Sequence, residues 1–534
     1  MLRRETLVIS LILVVTFAAR WLPGPRTIDD AYITFRYARN ILAGNGFVYN
    51  TGERVLGTTT PLYTGLMAVE AGILGRRDAA TGQAVGFPEL ALITNALADC
   101  ASAWLLYRAA RRLGGGSLAG LALAAVWSVH PVSVTYAVGG METSVFVALI
   151  LGTFIALVEA RPRATATLAA LSLLVRPEAS IAIVLLIGYA LLNAARDRAV
   201  GPPPASALMS PPPSRIPRYL GIGLLFFAVL APWLIFATLY FGNPIPGSIA
   251  AKGVAYQLDA NQALAAFMRT LVVPFSGVGS FDAAAGLLFL AAYATLFVLG
   301  AVFAVRRNAA AWPMMTFALA YLAAYVVANP LIFRWYVVPP LPIFLLGIAL
   351  GWTRVTGVFH NRTVATSLFG LGAVVAIGAA LGGWWISDHG STSPSPRMSY
   401  IKLELTYLEA AEKLSGVVDA NTVIAAGDIG AIGYATGARI YDTLGLITPD
   451  ARRYYPVPRE SLVPPLPYAI PAQLILDAKP DFVIIVEAYG RNTFLPDPRF
   501  QAEYELLEKL TSDATRDYSS EGMLVFGLGS EDRR

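Results

Sequence analysis

Ten apolar runs follow one another between residues 87 and 387, at about 87–107, 116–136, 141–159, 164–175, 178–194, 219–240, 283–304, 311–328, 336–353 and 364–387. An eleventh, ISLILVVTFAA, lies near the N-terminus behind Arg3 and Arg4. Most approach the roughly 20 residues that carry a helix across about 30 Å of hydrocarbon. Composition points the same way: 56% of the 534 residues are hydrophobic and 14% charged, against about 45–50% and about 25% in soluble domains. The formal charge of +5 is modest, and its basic residues stand between the apolar runs. They read as topology signals rather than a nucleic-acid surface. Arg108–Arg112, Arg161–Arg163, Arg196–Arg218, Arg306–Arg307 and Arg354–Arg362 all fall on the side of Arg3 and Arg4 if the first run is an uncleaved span. A signal peptide cut near Ala19 is the alternative. The expectation is a polytopic α-helical membrane protein with about eleven transmembrane helices, its N-terminus cytoplasmic. Residues 61–75 must then be interfacial or re-entrant; if they span, the count is twelve.

Two runs are irregular. Residues 164–175 are too short to cross and end in Arg176-Pro177-Glu178, where a new apolar helix begins. Broken helices are tolerated where they line a protein-enclosed cavity, and an ionisable residue at that depth marks a functional site. The stretch GPPPASALMSPPPSRIP, within a 196–218 connector, reads as a cytoplasmic linker. Beyond residue 387 the SDHGSTSPSP linker leads to a different pattern. Helix near 399–416, strand TVIAAG, a glycine-rich turn and helix to 437, strand ARIYD, helix 472–478, strand DFVIIVEA and strands near 504–509 and 522–527 predict a small α/β domain, residues 388–534. An odd number of spans puts it outside the cytoplasm. The dinucleotide fingerprint is absent from GDIGAIGYATGARIYDTLGL, so its glycines read as a structural turn. Cys100 has no disulfide partner, and His130, His360 and His389 are too scattered for a zinc site.

Residues 27–63, TIDDAYITFRYARNILAGNGFVYNTGERVLGTTTPLY, place two carboxylates where the chain leaves its first apolar run. Ile33, Tyr37 and Ile41 recur at helical spacing, so the segment from Asp30 reads as an amphipathic helix at an interface. Asp29 and Arg36, seven residues apart, share a face about 10 Å apart along its axis. They can bracket an anionic substrate; equally, Asp29 and Asp30 suit a helix start.

The motifs DDAYITFRYARN, GNGFVYNTGERV and TTTPLY resemble the first outer loop of bacterial GT-C glycosyltransferases, and most nearly the terminal arabinofuranosyltransferases of mycobacterial cell walls. GGMETSVF, the Arg176-Pro177-Glu178 break, YFGNPIPGSIAAKG in the second outer loop (240–282) and GDIGAIGY are similar to stretches of the same enzymes. The resemblance implies a GT-C-like membrane domain (residues 1–387, first outer loop 23–86) that takes sugar from a polyprenyl-phosphate donor, with an acidic residue of the first loop catalytic. Asp29 is then the expected general base and Asp30 its neighbour. If a divalent cation (Mg or Mn) takes part, these two are the expected ligands. Arg36, Arg176, Lys252 and Arg334 are candidates for the donor phosphate, since guanidinium and ammonium groups match its oxygens. Glu142, Glu178 and Tyr32 are candidate cavity residues. The acceptor is a cell-envelope glycan, lipid or protein, and transfer is expected to invert configuration. A flippase for lipid-linked sugars also needs broken helices and buried charge, but it predicts an internal repeat that inspection does not find. A non-catalytic assembly protein is the third reading.

Overall fold

The computed structural model of the chain describes residues 2–74, 86–200, 216–277, 282–386 and 399–529. The proline-rich segment 201–215 and the linker 387–398 lie outside the described residues, so the expected connector and domain boundary are not seen. Among the described residues, seven helices are long and apolar enough to cross a membrane: Phe87–Arg112, Ala179–Arg196, Gly221–Phe241, Ala283–Arg307, Ala309–Ala328, Arg334–Thr356 and Arg362–Gly383. An eighth is formed if Gly116–Val129 and Pro131–Val138, bent by 50° at their junction, count as one span. The bend falls at His130-Pro131, where proline withholds a backbone donor. The other three expected spans, Leu2–Trp21, Thr143–Val158 and Pro162–Val175, are helical too. Length and hydropathy alone thus single out seven or eight of the eleven expected crossings. Pro61–Leu74, at 14 residues, extends only about 21 Å, and it packs on the Asp29–Leu42 and Pro162–Val175 helices.

Buried polar contacts fix where the outer loop starts. Arg20, fully buried at the end of the first helix, pairs through Nε with Asp99 Oδ2 at 2.9 Å and donates to Ser133 Oγ at 2.7 Å and to the Trp127 carbonyl at 3.2 Å. That ties Leu2–Trp21 to the bent pair. Arg26 and Ile28 then donate to the carbonyls of Val138 and Gly139, and Asn95 holds the carbonyls of Ala137 and Met141. The chain therefore delivers Asp29 beside the Gly139–Glu142 turn.

Residues 399–529 form a five-stranded sheet, β1 Val423–Ala426, β2 Arg439–Asp442, β3 Phe482–Val486, β4 Tyr504–Leu510 and β5 Met523–Leu528, in the order β2-β1-β3-β5-β4. β1 runs parallel to β2 and β3, with Ala425 opposite Tyr441 and Val483, while β5 is antiparallel to β3 and β4. The continuous apolar run FVIIV fits the wholly buried central β3. The charges of YELLEKL suit the edge strand β4. The other edge, β2, is covered by the first outer loop: Asn50 Oδ1 accepts from Ile440 N (3.0 Å) and Asn50 Nδ2 donates to the Ile440 carbonyl (2.9 Å). All five expected strands are present within a residue or two. One apolar core runs from the membrane helices into this domain.

Candidate active site

The helix Asp29–Leu42 presents two different faces to two different neighbours. Asp30, Ile33 and Thr34 stand three and four residues apart, hence on one face, and line a cavity of about 560 Å³. Asp29, Tyr32, Arg36 and Arg39 lie along the next face, turned to the C-terminal domain. Asp29 Oδ2 accepts from Gly430 N (2.9 Å) and Oδ1 from Ala431 N (2.7 Å), the first free amides of the helix Gly430–Thr436. Its own N–H donates to Glu404 Oε1 at 2.9 Å. Burial, with the nearby Asp428 next in weight, pushes the Asp29 carboxyl up to about 8. Arg36 is 4% exposed and donates to the carbonyls of Tyr49, Gly433 and Ala438 at 2.9, 2.6 and 2.6 Å. Tyr32 packs on Phe35 and Tyr434, and burial pushes its hydroxyl up to about 12.

The cavity gathers residues from six separate stretches of chain, one of them Leu446 of the C-terminal domain. The first loop gives Asp30 and Thr58–Thr60; the turn before Thr143–Val158 gives Glu142; the broken helix gives Arg176 and Glu178. Helix Gly247–Ala255 gives Ser248 and Lys252, and the approach to the Arg334–Thr356 helix gives Asn329, Trp335 and Tyr336. Arg176 closes the helix Pro162–Val175 in extended conformation (φ −150°, ψ 137°), which breaks it as its proline neighbour predicts. It donates to Glu178 Oε1 at 2.8 Å, lies 3.3 Å from Glu142 Oε1, and stacks 5.2 Å from the Tyr336 ring centre. Tyr325 donates to the same Glu178 oxygen at 2.7 Å. Lys252 Nζ stands 3.9 Å from Asp30 Oδ2 and 4.7 Å from the Phe333 ring centre. Burial works against its charge, but Tyr336 and Asp30 outweigh that and hold its pKa above the ordinary lysine range. Among the described residues, two buried polar atoms of this lining have no hydrogen-bond partner, Thr60 Oγ1 and Ser248 Oγ, while Arg176 Nη1 has only its ion-pair contact with Glu142.

Of the residues read from sequence, the cavity brings together Asp30, Glu142, Arg176, Glu178 and Lys252. Asp29, Tyr32 and Arg36 are turned to the C-terminal domain because the helix is wedged between two partners and one face must serve each. Arg36 commits its guanidinium to backbone carbonyls, which leaves it no fork for a phosphate. Arg334 is exposed beside the lining rather than in it. The expected cation pair does not fit either: both oxygens of Asp29 are taken by amides, and no group of three or more His, Cys, Asp or Glu side chains gathers among the described residues. Thr60 and Ser248 were legible only as polar positions inside TTTPLY and GNPIPGSIAAKG. Tyr325 and Asn329 carried no signal, since a tyrosine and an asparagine at a helix end are ordinary.

Residues 400–526 match the family model of a domain of unknown function, DUF8728. No curated protein sequence matches the chain. Among solved structures, ArnT from Cupriavidus metallidurans in the apo state is similar over 98% of this chain and 97% of that one, with TM-score 0.56 and 12% identity. The same protein bound to undecaprenyl phosphate is similar over the same shares, with TM-score 0.55 and 12% identity. The archaeal oligosaccharyltransferase AglB from Archaeoglobus fulgidus, in complex with an inhibitory peptide and a dolichol-phosphate, is similar over 99% of this chain and 75% of that one, with TM-score 0.51 and 12% identity. The fold implied by the first-loop motifs is the one found: this multi-pass membrane chain has the GT-C fold.

Proposed function

We propose that the chain is a membrane glycosyltransferase that moves a sugar from a polyprenyl-phosphate donor to a hydroxyl of a cell-envelope glycan, lipid or protein on the extracytoplasmic face. The observation that carries this reading is the cavity in which one carboxylate, Asp30, faces Lys252 at 3.9 Å beside the unpartnered hydroxyls of Thr60 and Ser248 and the buried guanidinium of Arg176. The fold supports it, because solved proteins of this fold carry undecaprenyl phosphate and dolichol-phosphate.

A sugar on a lipid phosphate already has a good leaving group. The protein must take the acceptor proton, hold the attacking oxygen in line and neutralise the departing phosphate. In this reading Asp30 takes the proton as the acceptor oxygen bonds to the anomeric carbon. The bond from that carbon to the phosphate oxygen breaks, polyprenyl phosphate leaves with the electron pair, and single displacement inverts the configuration. Lys252, Thr60 and Ser248 receive the phosphate oxygens, with the positive charge of Arg176 beside them. Glu142 and Glu178 hold Arg176 in place, and their two charges leave Lys252 the stronger attraction for an anion. No step draws on a cation.

The test is transfer from a polyprenyl-phosphate sugar by purified protein, with Asp30→Asn beside it. Asp30→Asn is expected to lose about 10²–10⁴-fold in rate, the usual contribution of a positioned base. Turnover by Asp30→Asn at the wild-type rate overturns this assignment.

A further inference from the structure

The sequence GDIGAIGY sits on the outer-loop helix with no room to spare. A Cβ at Gly430 would collide with the Asp29 carbonyl oxygen, and one at Gly433 with the Tyr49 hydroxyl and Arg36 Nη1. Asp29 holds the two opening amides of the helix Gly430–Thr436, and Arg36, seven residues on, holds the carbonyls of Gly433 and Ala438 at its far end. Two residues whose spacing suits an anion bracket a helix instead. Arg39 adds a bond to the Tyr434 carbonyl at 2.9 Å, and Asn50 pairs with the edge of β2.

From that seat the chain passes through β2 into the loop Asp442–Ile447. Asp442, fully buried, accepts from Leu444 N (2.8 Å) and Ile447 N (2.9 Å), while Arg452 Nε donates to the Gly445 carbonyl at 2.9 Å. The loop so shaped puts Leu446 into the cavity lining, where it is the single contribution of the C-terminal domain among the described residues. The walls around Arg176, Tyr325 and Tyr336 come from the ends of apolar helices, the side that suits a lipid-borne donor in the glycosyltransferase reading.

We propose that the domain of residues 400–526 forms the acceptor-side wall of the cavity, with Leu446 selecting the acceptor and Asp29 and Arg36 as the positioning residues that hold the wall in place. The assignment rests on the glycosyltransferase reading. It gives the outer domain a role in the reaction without a catalytic residue of its own.

Full-length protein tests this with three readouts: hydrogen exchange of the 428–440 backbone, binding of farnesyl phosphate without turnover, and kinetic constants for octyl monosaccharide and octyl disaccharide acceptors. Arg36→Gln is expected to speed exchange at 428–440 by about tenfold or more, because several charge-assisted bonds are lost. Its acceptor KM should rise by a similar factor while farnesyl phosphate binding stays unchanged, and Arg36→Lys should recover part of the loss. Leu446→Trp is expected to leave exchange and farnesyl phosphate binding alone, yet to raise KM for the disaccharide more than for the monosaccharide. If Arg36→Gln fails to fold, Leu446→Trp decides alone. Unchanged acceptor constants in variants that exchange faster, or equal effects of Leu446→Trp on both acceptors, overturn the assignment. Wild-type protein that transfers nothing from a lipid-phosphate sugar removes the enzymatic reading and this role with it, whereas active wild type with unresponsive variants removes this role alone.

Discussion

Two adjacent aspartates on one helix point about 100° apart, and the whole site turns on that angle. Asp30 faces the cavity and Lys252; Asp29 faces the amides of Gly430 and Ala431 and is pushed up to about 8. Asp29→Asn keeps one accepting oxygen and the helix start, so its turnover number should stay within about an order of magnitude of wild type, against the loss of about 10²–10⁴-fold expected for Asp30→Asn. Equal losses in the two variants would return Asp29 to the chemistry. Lys252→Met keeps the stem and removes the charge. Farnesyl phosphate affinity should then fall by about tenfold or more, the worth of one charge-assisted hydrogen bond. Arg176 is the poorer probe, since its removal strands Glu142 and Glu178, and breaking such a buried pair destabilises by about 3–5 kcal/mol.

At the scale of elements, the junction between the Asp29–Leu42 helix and the Gly430–Thr436 helix is a set of carboxylates in a dry interface. Asp428, Asp30 and Glu404 all stand near enough to Asp29 to feel its charge. Burial pushes Asp428 up to about 6 and holds Glu404 well above the usual carboxylate range, with Asp29 adding to the latter. These docked values lie above the 3.8 of a free aspartate. The sign follows: docking is strongest where the carboxyls keep their protons, at about pH 4 and below, and weakens as pH rises through about 6 and about 8. Exchange of the 428–440 backbone should therefore be faster at about pH 8.5 than at about pH 5 after correction for intrinsic exchange, and Asp29→Asn should flatten the upper part of that rise. Docking that tightens with pH would show that the amide bonds to ionised Asp29 outweigh its desolvation.

For the molecule as a whole, the outer loop is the joint between a bundle of apolar helices and an α/β domain, and the cavity forms where they meet. The expected eleven crossings, with the arginine-rich connectors on one side, predict that residues 399–529 lie on the extracytoplasmic face. A reporter fused after Arg534 should be active only outside the cytoplasm; activity only inside would mean an even number of crossings and would put the spanning role of Pro61–Leu74 or of the short helices in question.

The sequence by itself determined the elements. Apolar runs located the helices, seven or eight of them long enough to cross, Arg176-Pro177-Glu178 marked the break, and alternating apolar and glycine-rich segments marked five strands, because each of these is a local consequence of side-chain hydropathy or of proline. It also named the stretches that meet: the first loop, the Glu142 turn, the break and the Lys252 helix. What it left undecided is which face of a helix meets which partner. Asp29 and Asp30, or Arg36 and Arg176, carry the same chemistry, and the packing of Gly430 and Gly433 against the outer helix commits Asp29 and Arg36 to the domain, while Asp30 and Arg176 line the cavity. Leu446 joins that cavity from 110 residues beyond Tyr336, its nearest fellow lining residue in the chain, a contact set by long-range docking rather than by any local preference.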